Sequence, residues 1–267
     1  MTNFADCGSM LEAMRNIRPL VQCITNDVAM NIAANVLLAA GASPAMVSAE
    51  EEAAEFARIA SAVTVNIGTL WAGAISGMKS AAIAARQDGK PWVLDPVAHY
   101  ATQFRRQTIA ELLELKPTIV RGNASEIMAL AGLSSMGRGV DSGDSSDAAE
   151  SAALTLATKH DFIVAVTGET DFVTDGIRSV RIAGGSSMMP SVTALGCALT
   201  GLIGAFSGAI PDRPFDATVA ALSMFAVCGS DAARDAKGPG SFQVLFLDAL
   251  TAIDAHHLNL QARITLL

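Results

Sequence analysis

Short apolar runs alternate with longer helical segments through the first two thirds of this chain, and that alternation leaves few folds open. The runs cover residues 20–24, 44–47, 62–67, 92–94, 118–120 and 162–166. Most are continuously apolar rather than alternating, as strands buried on both faces are. The segments between them, 9–18, about 27–40, 50–60, 71–88, 104–115 and 123 onward, read as helices. Glu50-Glu51-Glu52 gives one an acidic first turn, and Gly41 and Asp88-Gly89 fit two helix ends. The pattern predicts an α/β fold with a mostly parallel central sheet and helices on both faces. Residues 134–147 read as a Gly- and Ser-rich surface loop. A hairpin is expected at 172–174 and 179–182 around Asp175-Gly176. From 196 the chain reads as helical, over 196–209, 215–235 and 241–258. A length of 267 residues with 51% apolar content suits one domain spanning 1–267, and 5% aromatics beside much Ala and Gly suits tight helix-on-sheet packing.

In parallel sheets ligands bind beyond the carboxyl ends of the strands. The polar residues at those ends are Thr25, Asn26, Asn66, Gly68, Asp95, Arg121, Asn123, Thr167 and Gly168. Taken singly, each is better explained as a cap or a turn. Together they line one rim with amides, a carboxylate, a guanidinium and hydroxyls. A second stretch, 190–206, is expected to run extended at 191–193, turn at 194–196, and continue as a small-residue apolar helix. Such a start leaves backbone N–H groups unpaired, and the helix dipole adds positive character, so it can take an anion, phosphate above all. Cys197 would lie in that first turn, where a thiol is easier to ionise. On local sequence alone an inert core cysteine is the better reading, because cysteine is among the most buried residue types. With the rim included, an anion site beside a proton-accepting side chain points to phosphoryl transfer to an alcohol.

Other classes are disfavoured. A net charge of −8 argues against a nucleic acid or an anionic membrane as partner, while a nucleotide stays open if a divalent cation offsets its phosphates. Cys7, Cys23, Cys197 and Cys228 include no CxxC pair and predict neither a zinc site nor a disulfide framework. The uncharged stretch between Arg181 and Asp212 is broken by Pro190 and several glycines, as suits a core helix rather than a membrane span. The opening residues have no basic region followed by an apolar run, and the expected location is the cytoplasm. Gly77-Met78-Lys79-Ser80 lacks the glycine before the lysine of a phosphate-binding loop, and the four histidines have no ligand spacing. Asn123-Ala124-Ser125-Glu126 reads as a capping box. The same carboxylate at a helix start, with Asp95, also suits a hydrated magnesium ion, which needs only one or two carboxylates. Lys237-Gly238-Pro239-Gly240-Ser241-Phe242 reads first as a helix junction capped by Ser241, and second as a loop closing over a nucleotide.

A longer series of motifs resembles one family. It runs from Val21-Gln22-Cys23-Ile24-Thr25-Asn26, with Asn31 and Asn35, through Gly41-Ala42-Ser43-Pro44-Ala45-Met46 and Asn66-Ile67-Gly68-Thr69-Leu70. It continues through Leu94-Asp95-Pro96-Val97, Arg121-Gly122-Asn123-Ala124-Ser125-Glu126, Val166-Thr167-Gly168-Glu169, Thr193 with Gly196-Cys197, and 237–242. In this order, over about residues 20 to 245, it resembles the hydroxyethylthiazole kinases. The resemblance implies a ribokinase-like fold and a homotrimer with sites at subunit contacts. It implies phosphate transfer from ATP, with magnesium, to the alcohol of 4-methyl-5-(2-hydroxyethyl)thiazole in thiamine salvage. It implies that Arg121 and Thr167 bind ATP, and that Asp95 and Glu126 organise the metal. By the same resemblance Met46, Ala194, Asn26 and Gly68 belong to the substrate pocket, and Cys197 stands where most ribokinase-like enzymes carry a catalytic aspartate.

A cysteine is workable there, because phosphoryl transfer proceeds through a loose transition state and the alcohol need not lose its proton early. Two turns depart from the family. Thr193-Ala194-Leu195-Gly196-Cys197 stands for Thr-Gly-Ala-Gly-Cys, and Asp95-Pro96-Val97-Ala98-His99-Tyr100 for Asp-Pro-Val-Gly-Ala-Gly. If residue 194 has positive φ, alanine there is strained by roughly 1–2 kcal/mol. The lost glycines motivate two alternatives, a kinase of another small heteroaromatic alcohol and a nucleotide- or thiazole-binding protein without turnover.

Overall fold

The computed structural model describes residues 6–133 and 142–267. Helix α1 (Cys7–Ile17) leads into β1 (Leu20–Ile24), α2 (Met30–Ala40), β2 (Ser43–Ala45), α3 (Glu50–Ile59) and β3 (Ala62–Asn66). Then come α4 (Ala72–Gln87), β4 (Trp92–Asp95), a single 3-10 turn at His99–Ala101, α5 (Gln103–Leu113), β5 (Ile119–Asn123) and α6 (Ala124–Leu130). Helix α7 (Ser142–His160) precedes β6 (Ile163–Thr167), β7 (Thr170–Thr174) and β8 (Ser179–Ala183). A second 3-10 turn at Met189–Ser191 opens the last part, with α8 (Leu195–Ala209), α9 (Pro214–Asp235), α10 (Pro239–Ala252), α11 (Ala255–Gln261) and β9 (Arg263–Leu266).

Among the described residues nine strands form one sheet in the order β2-β1-β3-β4-β5-β6-β7-β8-β9. Pairings from β2 to β6 are parallel, and those from β6 to β9 are antiparallel. The continuous apolar runs are explained by burial on both faces: all of β3 and β4 is buried. One core layer lies between the sheet and α1, α2, α8, α9 and α10. The other lies under α3, α4, α5, α6 and α7.

Helix α8 owes its composition to its place against the sheet. A Cβ at Gly204 would lie 2.6 Å from Thr64 Cγ2 on β3, and one at Gly208 would lie 3.1 Å from Ala62 Cβ. At Gly201 it would meet Leu37 of α2 at 2.6 Å. Glycine weakens a helix by roughly 0.5–1 kcal/mol per residue. Here it admits a close approach that sets the start of α8 beside the carboxyl ends of β1, β3 and β4.

Several expectations need correction. Ser191 belongs to a 3-10 turn rather than an extended segment, and α8 begins at Leu195. The helix expected over 241–258 is two, α10 and α11, divided where Asp254 caps the second by accepting from His257 N–H. Ser241 is not the cap of α10. Gly238 holds that position with Pro239 behind it, and Ser241 Oγ accepts instead from Lys237 N–H. The loop expected over 134–147 is helical from Ser142, and its portion 134–141 lies outside the described residues. Strand β9 had no counterpart in the pattern.

Candidate active site

The rim residues converge. The Asn26 side-chain amide, just past β1, donates to Asn66 Oδ1 at 2.9 Å and faces Cys197 Sγ at 3.3 Å. Its Oδ1 accepts from Ala29 N–H, so Asn26 shapes the entry to α2 without being its cap. Asn66, at the end of β3, donates onward to Asp95 Oδ2 at 2.7 Å. Thr200 of α8 donates to the same oxygen at 2.8 Å, and Arg121 reaches it at 3.5 Å. Arg121 also donates to Thr167 Oγ1 at 2.6 Å. One hydrogen-bonded chain thus joins the ends of five adjacent parallel strands to Cys197.

The start of α8 closes this chain from above. Ala194, its N-cap, has φ 57° and gives no side-chain cap. Among the described residues neither Gly196 N–H nor Cys197 N–H has an acceptor. A Cβ at Gly196 would lie 2.8 Å from Arg121 Nη2. The guanidinium therefore lies against the first turn of α8, and glycine at 196 makes the room. Free amides, a helix N-terminus and a guanidinium make this a site for an oxyanion.

Glu126 performs the capping box, with its Oε2 accepting from Asn123 N–H at 2.8 Å. Its Oε1 accepts from Ala98 N–H at 2.9 Å, in a turn where Ala98 has φ 48°. Ala98 and Ala194, the two alanines where the resemblance implies glycine, are both in the left-handed region. Asp95 is fully buried. Burial pushes its carboxyl up to about 6, Arg121 opposes this, and the Glu126 charge adds to it. Asp95 Oδ1 is buried without a hydrogen-bond partner.

Cys197 overturns one expectation. Its thiol is harder to ionise than usual, through burial first and the Asp95 charge second, although the Asn26 amide favours the thiolate.

Gly68 packs on Asn26 so closely that a Cβ would lie 2.7 Å from Nδ2. Ala194 and Met46 pack against the core layer that contains Leu195 and Leu199, and no hydrogen bond ties Met46 to the chain of polar groups. A cavity of about 350 Å³ lies among Thr25, Asp27, Glu50, Glu51, Asn66 and Trp71. Of the polar chain only Asn66 borders it, so the chemistry is assigned by the polar geometry rather than by this hollow.

Three contributors escaped sequence reasoning. Thr200 had a signal, since it falls three residues after Cys197 within an apolar helix. Asp171 of β7 accepts from Gly168 N–H at 3.0 Å and is pushed up to about 6 by burial. The Arg105 guanidinium, on α5, donates to backbone carbonyls, which no motif announces.

The chain is similar to known proteins over nearly its whole length. The model of the hydroxyethylthiazole kinase family matches residues 11–256. A hydroxyethylthiazole kinase of Rhizobium rhizogenes is 66% identical over 257 residues, 96% of each chain. The solved structure of a hydroxyethylthiazole kinase from Pyrococcus horikoshii OT3 superposes with a TM-score of 0.90 at 39% identity, covering 98% of both chains. A ribokinase-like superfamily protein from Enterococcus faecalis, 11% identical, superposes with a TM-score of 0.65 over 92% of this chain and 95% of its own. It bears on fold alone, and the fold is ribokinase-like.

Proposed function

The chain belongs to the hydroxyethylthiazole kinase family, and from that premise we propose that it transfers the γ-phosphoryl group of ATP to the hydroxyl of 4-methyl-5-(2-hydroxyethyl)thiazole, a step of thiamine salvage. The observation that carries this reading is the uncapped start of α8, with Arg121 against Gly196 and Cys197 facing Asn26. The amides of Gly196 and Cys197 and the Arg121 guanidinium hold the migrating phosphoryl group, with Arg121 kept in place by Thr167. Asn26, Gly68, Met46 and Ala194 border the thiazole alcohol.

Cys197 orients the attacking hydroxyl. Its thiol stays largely protonated near neutral pH, because burial raises its pKa. A loose transition state tolerates this, since the alcohol proton leaves late and positioning and charge stabilisation dominate. A general base typically contributes 10²–10⁴-fold, on the order of what a weak one here forgoes.

Magnesium is the metal that these donors fit. Asp95 Oδ1 is buried without a partner, and among the described residues no group of three or more His, Cys, Asp and Glu builds a full cage. An ion that keeps its waters needs only one or two carboxylates. Asp95 and Glu126 would hold it, with Glu126 fixed in place by backbone N–H bonds to both its oxygens. When bound, the ion neutralises charge on the ATP phosphates. We extend the reading to one kinase domain over 1–267, a cytoplasmic location and a homotrimer. No described helix is long and apolar enough to cross a membrane.

The test is an assay of purified protein with ATP, magnesium and a panel of heteroaromatic alcohols, with the phosphate ester identified by mass spectrometry. Hydroxyethylthiazole should be the preferred acceptor, and Arg121→Ala should lower kcat/KM for ATP by at least about tenfold. Absence of any ester with calorimetric ATP binding intact would leave a binding protein in place of a kinase.

A further inference from the structure

Arg105 lies outside the chain of polar groups, half-buried on α5, yet it binds two of the loops that carry that chain. Its Nη1 donates to Ile67 O at 2.7 Å and to Val97 O at 2.9 Å, and its Nη2 donates to Gly68 O at 2.6 Å. Ile67 and Gly68 follow β3, and Val97 follows β4. Nη1 therefore bridges the two loops beyond the Asn66–Asp95 side-chain bond.

Each loop carries half of the chemistry. The first holds Asn66 and Gly68, and Gly68 seats Asn26, which faces Cys197. That is the acceptor side. The second runs from Asp95 to Ala98, whose N–H holds Glu126. That is the carboxylate side. Beyond Ile67 N–H, which reaches Asp95 O at 3.3 Å, the sheet no longer ties these loops together. A guanidinium presents donors in a fixed planar fork, so it fixes three carbonyls in relative position as a lysine ammonium cannot.

We propose that Arg105 is a positioning residue for the transfer: it sets the acceptor side against the carboxylate side without touching either substrate. This rests on the kinase reading above. In-line transfer depends on the placement of the reacting atoms, and a shift of about 1 Å can cost about 10²-fold. The nucleotide contacts at Arg121 and Thr167 sit on β5 and β6, which Arg105 does not reach, so ATP affinity measured without magnesium should be spared.

The experiment compares wild type with Arg105→Ala and Arg105→Lys, each checked for folding by circular dichroism and thermal melt. Turnover is counted per folded molecule, and ATP binding is measured by calorimetry without magnesium. In Arg105→Ala, kcat should fall about 10–100-fold and the KM for the alcohol should rise, with the Kd for ATP within about twofold of wild type. Millimolar guanidinium should restore part of kcat in Arg105→Ala and none in wild type. Arg105→Lys keeps the charge and should stay folded, with an intermediate loss. Loss confined to the melting temperature, with turnover per folded molecule unchanged, would overturn the proposal. So would a parallel loss of ATP affinity, or failure of both variants to fold. A wild-type protein that phosphorylates no alcohol would overturn the kinase reading instead.

Discussion

At the scale of single residues, the sequence exposed the polar types at the strand ends but not their ionisation. Cys197 could be placed in the first turn of a helix from the order of residues. That the turn lies under other groups, with Asp95 nearby, depends on packing, and packing reverses the expected shift. A raised thiol pKa means that the thiolate appears only above its ordinary range. If the thiolate accepts the alcohol proton, wild-type turnover climbs with pH through roughly 7 to 9, while Cys197→Asp, whose carboxyl is raised by the same burial and the same Asp95 charge but starts from a far lower value, reaches its plateau at lower pH with equal or higher rate. A flat wild-type profile beside a folded but inactive Cys197→Asp would remove the cysteine from proton transfer. Ala194 sits at φ 57°. Glycine there removes roughly 1–2 kcal/mol of strain and returns about 0.4–1 kcal/mol of entropy to the unfolded chain. Ala194→Gly should therefore raise stability by up to roughly 1.5 kcal/mol in a denaturant melt, and a loss would mean that the loop relaxes the strain in solution.

At the scale of elements, what the sequence revealed depended on burial. Strands β1, β3, β4 and β6 were legible because apolar side chains fill both faces. Strand β9 was not, because Arg263–Leu266 lies at the sheet edge, mostly exposed, and has no apolar run to mark it. The break between α10 and α11 was hidden for a related reason: Ile253 and Asp254 turn the chain with neither glycine nor proline. Helix α7 starts within a Ser-, Gly- and Asp-rich segment whose composition favours a loop. The glycines of α8 were visible as small residues, but their purpose needed the sheet. In an open helix Gly→Ala gains about 1 kcal/mol. At Gly204 the added methyl meets Thr64 Cγ2 at 2.6 Å and Val21 Cγ1 at 3.3 Å. Overpacking costs about 1–3 kcal/mol, so Gly204→Ala should lower stability in a urea melt and reduce kcat by displacing the start of α8. A gain in stability would mean that the helix does not sit this close.

At the scale of the whole molecule, the alternation of strand and helix sufficed for the parallel sheet, because only that arrangement buries every run. Association was beyond it, since an exposed apolar residue looks the same as a buried one in sequence. Val28, Met30 and Leu38, on and before α2, are 57%, 37% and 61% exposed. They are apolar side chains that the contact of the proposed trimer would cover. Light scattering should give about three times the 27.5 kDa chain mass, and Val28→Glu should shift the population toward single chains. A wild-type mass of one chain would rule the trimer out.

The first helix has a consequence for biosynthesis. Cys7, Met10, Leu11 and Met14 of α1 are buried, and α1 packs on α8, α9 and α11. Arg15 reaches across to donate to Leu250 O and Ile253 O. On a translating ribosome that oily stripe emerges long before α8, α9 and α11, which cover it. Until then it faces the cell without its natural cover, so a holdase that binds short apolar helices has its widest opportunity on the half-made chain.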